Sequence, residues 1–342
     1  MLTAVNPVPP YAFPLGANLG CPLTFIGHGK LVSRPLQAYY DILDKQFVQY
    51  FNDNGNLPLT VNGHLMPGKF ELPGDVSSQF VSGLLFALPL LKGDSEIIIT
   101  SPLESASYVD MTLNCLAKYG VKIENVDGAH RHYLVPGKQR FKAQDSKVEG
   151  DWSQAAFWTV GGALGAGITA SGVDFASLQG DKAVVEIMQR MGADIAQNAD
   201  SVTVNSSTTK ATVIDASNCP DIIPVLTVLA AVSEGTTKII NAGRLRIKEC
   251  DRLAAMTSEL NKMGAAITEE LEGLTITGKP EGLRGGVEAD AWNDHRIAMS
   301  LAIAAQCCAE PITLTGAGSV SKSYPDFWQD YQSVGGKIEV LA

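Results

Sequence analysis

The sequence predicts an α/β fold in which long apolar helices lie inside and short strands lie outside. Four glycines, separated by 72, 72 and 71 residues, each follow a helical pattern and precede a short strand pattern: Gly120, Gly192, Gly264 and Gly335. So regular a period indicates a repeated structural unit. A second recurring element, a polar start followed by a long apolar helix, occupies residues 74–91, 150–167, 215–232 and 290–306. Helices that are apolar on nearly every face belong in an interior, which predicts an α/β arrangement turned inside out.

Composition restricts the classes of partner. The 342 residues are 45% hydrophobic and 18% charged, which suits a globular protein of two domains. A formal net charge of -10 offers no basic stripe for a nucleic acid. No apolar run is long enough for a membrane span, and the first residues do not resemble a signal peptide. The six cysteines show no metal-binding spacing, so we expect reduced, buried thiols and a cytoplasmic location.

A local reversal of charge marks residues 244–253, RLRIKECDRL. Four cations and two acids fall within nine positions: Arg244, Arg246, Lys248, Glu249, Asp251 and Arg252. Apolar residues at helical spacing follow, and they predict an amphipathic helix that ends at Gly264. If the cations at 244, 248 and 252 were helical, they would share one face and could bind an anion together with free backbone N–H groups. A solvated charged turn, with the two acids in the first helical turn, explains the segment equally well.

Polar residues at the starts of the apolar helices exceed what a structural repeat needs. Ser77, Ser78 and Gln79 offer donors for a phosphate or a sugar hydroxyl, although N-capping accounts for one serine. Asp221 follows Pro220 in an apolar stretch. It is therefore a candidate general base with a raised pKa, or else an ordinary cap.

Three further cations are weaker candidates when each is taken alone. Arg296, next to His295, precedes an apolar helix, and a guanidinium there is harder to explain structurally than a lone histidine. Lys322 lies among serine and aromatic residues in SVSKSYPDFW. Arg34 precedes a proline and a helical pattern. Taken alone, Lys322 would be interpreted as a surface lysine, and the signal at Arg34 is weak.

Together these motifs resemble the 5-enolpyruvylshikimate-3-phosphate synthase family, the enolpyruvyl transferases of the shikimate pathway. The resemblance runs from about Pro14 to the C-terminus, and its most specific pieces are GDVSSQF at 74–80, RIKECDRL at 246–253, NDHRIAMS at 293–300 and SKSYPDFW at 321–328. It implies a two-domain inside-out α/β barrel of repeated βαβαββ units, with an incomplete upper domain at 1–148 and a lower domain at 149–342. It also implies a cytoplasmic monomer with small-molecule substrates, no cofactor or metal, and neither nucleic acid nor membrane as partner.

The resemblance assigns roles residue by residue. The implied contacts to shikimate-3-phosphate are Ser77, Ser78, Gln79, Ser105, Tyr108, Asp221 and Lys248. Those to phosphoenolpyruvate are Arg34, Arg252, Arg296 and Lys322. The family often has a polar amide where this chain has Arg244, so the role of Arg244 stays open.

The implied reaction adds the 5-hydroxyl of shikimate-3-phosphate to C2 of phosphoenolpyruvate while a proton goes to C3, and phosphate then leaves from a tetrahedral intermediate. Asp221 would polarise the hydroxyl, Glu249 would shuttle the proton at the methylene carbon, and Lys322 would lie near the transferring group. Two unit anions about 5 Å apart repel by roughly 3 kcal/mol at an effective dielectric near 20. Converging cations from both domains are therefore needed to bring the substrates together.

The N-terminus departs from the family pattern. The family's first segment supplies a lysine, a serine and an arginine to the substrates and is followed by a glycine-rich turn, and nothing here matches either. Residues 1–13, MLTAVNPVPPYAF, are atypical. Read one nucleotide earlier, their codons can spell DADCGESGSTLRF, which resembles the missing turn, so we hypothesise a shifted reading frame that the nucleotide sequence can test. We expect such a truncated chain to fold its second domain and to be weakly active or inactive alone.

Two alternatives remain open. The related UDP-N-acetylglucosamine 1-carboxyvinyltransferases share the fold and the phosphoenolpyruvate chemistry, although GDVSSQF and SVSKSYPDFW favour the shikimate enzyme. From a different class comes a non-catalytic remnant of the family that binds a ligand or nothing. Ligand preference separates the first alternative from the shikimate enzyme, and recovery of activity on adding the missing segment separates the second.

Overall fold

The computed structural model describes residues 2–5, 12–18, 21–27, 29 and 32–341. The chain divides into two compact units, Met1–Lys147 and Val148–Ala342. This division lies one residue from the predicted boundary, and independent folding of each unit stays a prediction. Within the described ranges, no helix has both the length and the apolar character needed to cross a membrane.

The first unit combines helices with two mixed sheets. Its helices are α1 (Ala12–Gly16), α2 (Gln37–Lys45), α3 (Ser78–Ala87) and α4 (Ala106–Lys118). Its strands are β1 (Leu2–Val5), β2 (Leu23–Ile26), β3 (Gln49–Asp53), β4 (Asn56–Asn62), β5 (Lys69–Leu72), β6 (Ser95–Ile99), β7 (Glu124–Asn125) and β8 (His132–Val135). The sheets have the orders β1-β2-β4-β3 and β5-β6-β8-β7. In each sheet the first pair is parallel and the other pairs are antiparallel.

The second unit contains six described helices and the remaining strands. The helices are α5 (Trp152–Leu164), α6 (Ala183–Arg190), α7 (Ile223–Ala231), α8 (Arg252–Lys262), α9 (His295–Ala305) and α10 (Phe327–Ser333). The strands are β9 (Ile168–Ser171), β10 (Ile195–Gln197), β11 (Ser201–Val204), β12 (Val213–Asp215), β13 (Thr236–Ile240), β14 (Ala266–Glu270), β15 (Gly273–Thr277), β16 (Leu283–Gly285), β17 (Glu288–Asp290), β18 (Cys308–Glu310) and β19 (Thr313–Thr315). The sheets are β10-β11-β9, β12-β13-β15-β14, β16-β18 and β17-β19.

The element order repeats along the chain. The stretches from β1 to β4, from β5 to β8 and from β12 to β15 each run strand, helix, strand, helix, strand, strand. Their sheets share one connectivity, in which the first two strands pair in parallel and the last two form an antiparallel hairpin. The parallel pairs need a crossover, and the helix between the two strands supplies it.

The periodic glycines terminate helices, as predicted. Gly120, Gly192, Gly264 and Gly335 follow the C-terminal residues of α4, α6, α8 and α10, and their φ angles are 82°, 92°, 102° and 100°. Glycine is favoured in this left-handed region because it has no Cβ. The strand predicted after Gly335 is wrong. Residues 336–341 form no strand, since no described segment pairs with them to complete a ladder.

The four predicted apolar helices are α3, α5, α7 and α9, and they are buried over most of their surfaces. Every residue of α7 is buried, and in α9 only Ala305 is not. The buried apolar residues form two cores, one in each unit. In the second unit α7 packs on α5, α8 and α9, so the polar residues at the starts of these helices are carried on a rigid core.

Two expectations about smaller features need correction. Residues 2–5, part of the segment called atypical, form β1, which pairs in parallel with β2, and Ala12 and Phe13 belong to α1. Residues 6–11 of that segment lie outside the described part of the chain. All six cysteines are free, but only Cys219 and Cys250 are buried, whereas Cys21, Cys307 and Cys308 are partly buried and Cys115 is exposed.

Candidate active site

Arg252 is the centre of a charge cluster in the second unit. Its side chain is only 1% exposed and lies at the first position of α8. Its Nε donates to Asp294 Oδ2 at 2.8 Å, its Nη1 to Asp221 Oδ1 at 2.8 Å, and its Nη2 to Glu249 Oε2 at 2.7 Å. A buried guanidinium needs such partners, because an unpaired buried charge loses several kcal/mol of hydration.

Asp294 connects this cation to a second arginine. Its carboxylate is fully buried and caps α9 by accepting the backbone N–H of Arg296 at 2.8 Å. Burial acts to raise the pKa of Asp294, but the charge and hydrogen bond of Arg252, together with His295 and the N–H of Arg296, outweigh burial and lower it. Arg296 in turn donates from Nη2 to Ser153 Oγ and to Asp221 Oδ2, both at 3.1 Å. One cap therefore fixes the positions of both guanidinium groups.

Asp221 joins the cations into one cluster. Besides its bonds to the two arginines, its Oδ1 lies 3.6 Å from Lys248 Nζ. The sequence-based expectation of a raised pKa is wrong. Burial acts to raise the pKa of Asp221, but the charges of Arg296, Lys248 and Arg252 outweigh burial and hold it well below its usual range. Asp221 is therefore ionised in the unliganded site.

The cluster does not form as a single helix face, which corrects the expectation for residues 244–253. Gly243–Ile247 form a 3₁₀ turn, Lys248 is extended, and α8 begins only at Arg252, where Asp251 caps it by accepting the N–H of Ala254. Lys248 and Arg252 nevertheless converge, because both reach Asp221. The carboxylate of Asp221 acts to raise the pKa of Lys248, but burial and the charges of Arg252 and Arg244 outweigh it and lower the pKa.

Lys322 lies beside the cluster. It ends the 3₁₀ segment Ala317–Lys322, and its Nζ donates to the backbone carbonyl of Asn293 and to Asn293 Oδ1, the latter at 2.8 Å. Asn293 directly precedes Asp294, so one short loop contacts both Lys322 and Arg252. The structure thus brings together the predicted site residues of the second unit: Asp221, Lys248, Glu249, Arg252, Arg296 and Lys322.

The predicted residues of the first unit lie at two adjacent helix starts. Ser77 caps α3 by accepting the N–H of Gln79 at 3.3 Å, and Ser78 is buried. Ser105 precedes α4 with a φ of 52°, and Tyr108 lies in its first turn. The two starts are held together at Gly74, whose N–H donates to Ser101 Oγ at 2.9 Å and whose carbonyl accepts the N–H of Glu104 at 3.1 Å.

This close approach requires glycine at position 74. A Cβ there would lie 2.7 Å from Ile99 Cγ2 and 2.8 Å from the carbonyl oxygens of Ser101 and Pro102. Further along, Ser82 Oγ and Thr112 Oγ1 form a buried hydrogen bond of 2.8 Å between α3 and α4. Ser77, Ser78, Gln79, Ser105 and Tyr108 therefore lie at two adjoining helix starts of the first unit, where Ser78 and Ser105 are buried.

Arg34 lies in the turn before α2 of the first unit. Five residues later, the Tyr39 hydroxyl donates to the carbonyl of Phe80 in α3 at 3.0 Å. This bond ties α2, and with it the turn that carries Arg34, to the helix that begins with Ser78. Arg244 lies in the 3₁₀ turn that precedes Lys248, and its charge acts on the pKa of Lys248.

Sequence reasoning missed three residues of the cluster. Asp294 and Asn293 were noted only as neighbours of His295 and Arg296, and Ser153 was not distinguished from other residues of its helix start. The available signal was positional, because Asp294 lies two residues before Arg296 at the start of an apolar helix, where an acidic cap is expected. That it also binds Arg252, 42 residues away, has no local signal.

His295 makes the free energy of unfolding depend on pH, and this dependence can be measured. Burial, together with the charge of Arg296, lowers its pKa from 6.5 to about 4. The unfolded histidine titrates near 6.5, so between these values the unfolded chain binds the additional proton. The stability due to the neutral buried imidazole is therefore complete above about pH 6.5 and is lost, by about 3 kcal/mol, as the pH falls towards 4.

Urea unfolding followed between pH 7 and 4.5 measures this effect. We expect His295→Gln to flatten the decline over that range, because glutamine does not titrate. His64→Gln is the matched control, since His64 is exposed, and it should leave the decline unchanged. An equally steep decline in the His295 variant would show that other groups cause it.

The arrangement suits small anions. Lys248, Arg252 and Arg296 converge on one carboxylate at fixed positions, and the planar fork of arginine matches carboxylate and phosphate groups. The described residues contain no group of three or more His, Cys, Asp or Glu side chains that could hold a metal ion. Fold and site together define an α/β protein whose second unit carries pre-positioned cations suited to small anions.

Comparison with known proteins identifies the family. The family model of EPSP synthase (3-phosphoshikimate 1-carboxyvinyltransferase) matches residues 3–331. The 3-phosphoshikimate 1-carboxyvinyltransferase of Clostridium kluyveri is 54% identical over 96% of this chain and 76% of its own length, and that of Clostridium novyi is 51% identical over 96% and 75%. The structure of EPSP synthase from Acinetobacter baumannii is 26% identical, covers 99% of this chain and 79% of its own, and superposes with a TM-score of 0.82.

The chain therefore belongs to the EPSP synthase family. The match of the family model begins at residue 3, whereas the two Clostridium relatives align over 329 of the 342 residues.

Proposed function

We propose that this chain transfers the enolpyruvyl group from phosphoenolpyruvate to the 5-hydroxyl of shikimate-3-phosphate and releases phosphate. Membership of the family and about half of all residues shared with carboxyvinyltransferases support this reaction. The observation that carries it is the convergence of Arg252, Arg296 and Lys248 on Asp221. Fixed cations of this kind bind anionic substrates and need no reorganisation as charge moves during the reaction.

The cluster supports separate roles for its cations and carboxylates. Arg252, Arg296 and Lys322 would bind phosphoenolpyruvate, and Lys248 would bind shikimate-3-phosphate. The formal charges of the cluster sum to zero, because three carboxylates balance three cations. The cations are Arg252, Arg296 and Lys248, and the carboxylates are Asp221, Glu249 and Asp294. An arriving anion therefore competes with the carboxylates for the cations. Asp294 is fully buried and stays in place, whereas Asp221 and Glu249 keep exposed fractions of 18% and 32%. These two are therefore the carboxylates that can turn towards substrate.

Competition by substrate anions also prepares Asp221 for its task. Its pKa is low because three cations surround it. An anion that shares those cations weakens their hold on Asp221 and raises its affinity for a proton. Asp221 would then accept a hydrogen bond from the 5-hydroxyl as that oxygen attacks C2, while Glu249, bonded to Arg252, would exchange the proton at C3.

The residues of the first unit would bind the sugar phosphate. Ser77, Ser78, Gln79, Ser105 and Tyr108 present hydroxyl and amide groups at the starts of α3 and α4, where free backbone N–H groups also favour a phosphate. Arg34 would contribute to the phosphoenolpyruvate contacts. We further propose that the repeated strand and helix units form inside-out α/β barrels, with the buried helices α3, α5, α7 and α9 innermost.

Phosphate release from the 342-residue chain tests the reaction. We expect release that requires both phosphoenolpyruvate and shikimate-3-phosphate, and that does not occur when UDP-N-acetylglucosamine replaces the shikimate phosphate. Release with the nucleotide sugar would favour the related transferase, and absence of release and of binding with both acceptors would favour a non-catalytic protein. Low turnover by the chain alone stays a prediction, and the same assay measures it.

A further inference from the structure

A second carboxylate on α8 holds the loop that supplies the anion cluster. Glu259 is only 1% exposed, although it carries a charge. It accepts four hydrogen bonds, from Trp292 Nε1 at 3.0 Å, the Asp290 N–H at 3.0 Å, Lys262 Nζ at 2.7 Å and Ser258 Oγ at 3.0 Å. Two of these donors belong to the loop 290–294, so Glu259 does more than satisfy its own helix.

The loop has a backbone conformation that needs external support. Trp292 and Asn293 are consecutive residues in the left-handed region, with φ angles of 51° and 53°. Residues with a Cβ adopt this region at an energetic cost, and two in succession persist only where surrounding contacts determine them. The contacts here are the indole bond to Glu259, the Trp292 N–H bond to Asp290 Oδ1 at 2.7 Å and the Asp294 N–H bond to the Ala291 carbonyl at 2.9 Å.

The same loop supplies partners to two cations of the site and the cap of the helix that carries a third. Asn293 binds Lys322, and Asp294 binds Arg252 and caps the helix that carries Arg296. A change in the path of the backbone at 292 and 293 would therefore move the partners of Lys322 and Arg252 and the cap of α9 at once.

Helix α8 contacts both ends of this loop. Glu259 and Arg252 are seven residues apart, which places them on one face of α8 two turns from each other. Glu259 binds the loop at Asp290 and Trp292, and Arg252 binds it at Asp294. The helix thus fixes the loop on both sides of the two left-handed residues.

We propose that Glu259 is a positioning residue for the anion site, acting through the indole of Trp292 on the loop 290–294. The proposal rests on the proposed function only in that the cluster binds substrate anions. Glu259 bonds Ser258, Lys262, Asp290 and Trp292, and it acts on the site through the last two. Its contribution is to keep Asn293 and Asp294 at the positions from which they hold Lys322 and Arg252.

Variants of the full chain test this role through a spectroscopic signal and through binding. We expect Glu259→Ala and Trp292→Phe to shift the side-chain Nε–H resonance of Arg252 in ¹H–¹⁵N spectra and to raise the KM for phosphoenolpyruvate by roughly tenfold, the effect of one lost hydrogen bond to a charged group. Glu259→Gln keeps an acceptor for the indole, so its Arg252 resonance and its KM should lie close to those of the unaltered chain. The maximum rate should change less than the KM.

Asn261→Ala is the matched control. Asn261 lies on the same helix, and its side chain accepts from the Ile267 N–H and donates to the Ile267 carbonyl, both at 2.9 Å, without contacting the loop. It should lower the melting temperature but leave the Arg252 resonance and the KM unchanged. If Glu259→Ala does not fold, Trp292→Phe decides, because it removes the indole N–H that bonds Glu259 and keeps a smaller aromatic ring.

An unchanged Arg252 resonance in folded Trp292→Phe and Glu259→Ala chains would overturn the proposal. The resonance does not depend on turnover. If the unaltered chain neither releases phosphate nor binds either substrate while the variants shift the resonance as expected, the proposed function fails and the positioning role stands. If the unaltered chain is active and the variants change neither signal nor KM, the positioning role fails and the function stands.

Discussion

Replacing Arg252 with alanine is expected to remove measurable turnover and to lower the free energy of unfolding of the second unit by about 3–5 kcal/mol. Arg252 is 1% exposed and bonded to Asp294, Asp221 and Glu249. Asp294 is fully buried, so without the guanidinium it becomes an uncompensated internal charge. A lost charge-assisted contact to substrate adds to this and corresponds to roughly 10²-fold or more in kcat/KM.

Urea unfolding and steady-state kinetics on the same preparations measure the two effects. Arg252→Lys should be intermediate, because an ammonium keeps the charge but cannot reach three carboxylates as a planar fork does. Arg246→Ala is the control. Arg246 also bonds two acids, Asp251 at 2.9 Å and Glu269 at 2.6 Å, and the carbonyls of Glu270 and Leu271, but its side chain is 24% exposed, so solvent screening should keep its loss smaller than that of Arg252. Equal effects of the Arg252 and Arg246 changes would contradict this account.

The fold was predictable where its signals are local. The glycines at 120, 192, 264 and 335 predicted helix ends, because the left-handed conformation that follows a helix disfavours most residues other than glycine. That restriction acts within a few residues of the helix end. The apolar helices were likewise visible in their composition. The prediction of a strand after Gly335 was wrong because strand formation is not a local property. A strand requires a partner elsewhere in the chain, and a local pattern cannot show whether that partner is present.

The site was predictable as a set of cations but not as a balanced cluster. Arg252, Arg296 and Lys248 were found because positive charge is unusual in an acidic chain. Asp221 and Glu249 were also named from the sequence, but their pairing with Arg252 was not foreseen and Asp294 was missed. Asp221 and Asp294 lie 31 and 42 residues from Arg252 and reach it only through the packing of α7, α8 and α9. The expected sign of the Asp221 pKa was wrong for this reason, because burial was foreseen and the surrounding cations were not.

The prediction that Arg244, Lys248 and Arg252 share one helix face was also wrong for a physical reason. Asp251 caps α8 and ends the preceding turn, so the helix cannot extend back through Lys248 to Arg244. The cations converge through tertiary contacts to Asp221. Sequence spacing predicted that Lys248 and Arg252 lie together, and they do, but not through the helix face from which the prediction was made.

Asp221→Asn is the second change for which we expect a large effect, and it should alter binding and turnover in opposite directions. Asparagine keeps the size of the side chain and an acceptor for Arg252, but it removes the negative charge that Arg252, Arg296 and Lys248 surround. An inorganic phosphate ion then no longer competes with an internal carboxylate, so its affinity should rise by roughly tenfold. Turnover should fall by about 10²–10⁴, because the amide cannot accept a proton from the attacking hydroxyl.

Calorimetric titration with inorganic phosphate measures the first effect, and phosphate release from phosphoenolpyruvate with shikimate-3-phosphate measures the second. Asp215→Asn is the matched control, since Asp215 belongs to the same unit but bonds Ser217 and Asn241 instead of the cations. It should change neither quantity. Weaker phosphate binding by the Asp221 variant would mean that this carboxylate organises the cations more than it competes for them, and near-normal turnover would mean that another group assists the hydroxyl. Stronger binding with lost turnover is the combination that only a carboxylate acting as both counterion and hydroxyl partner produces.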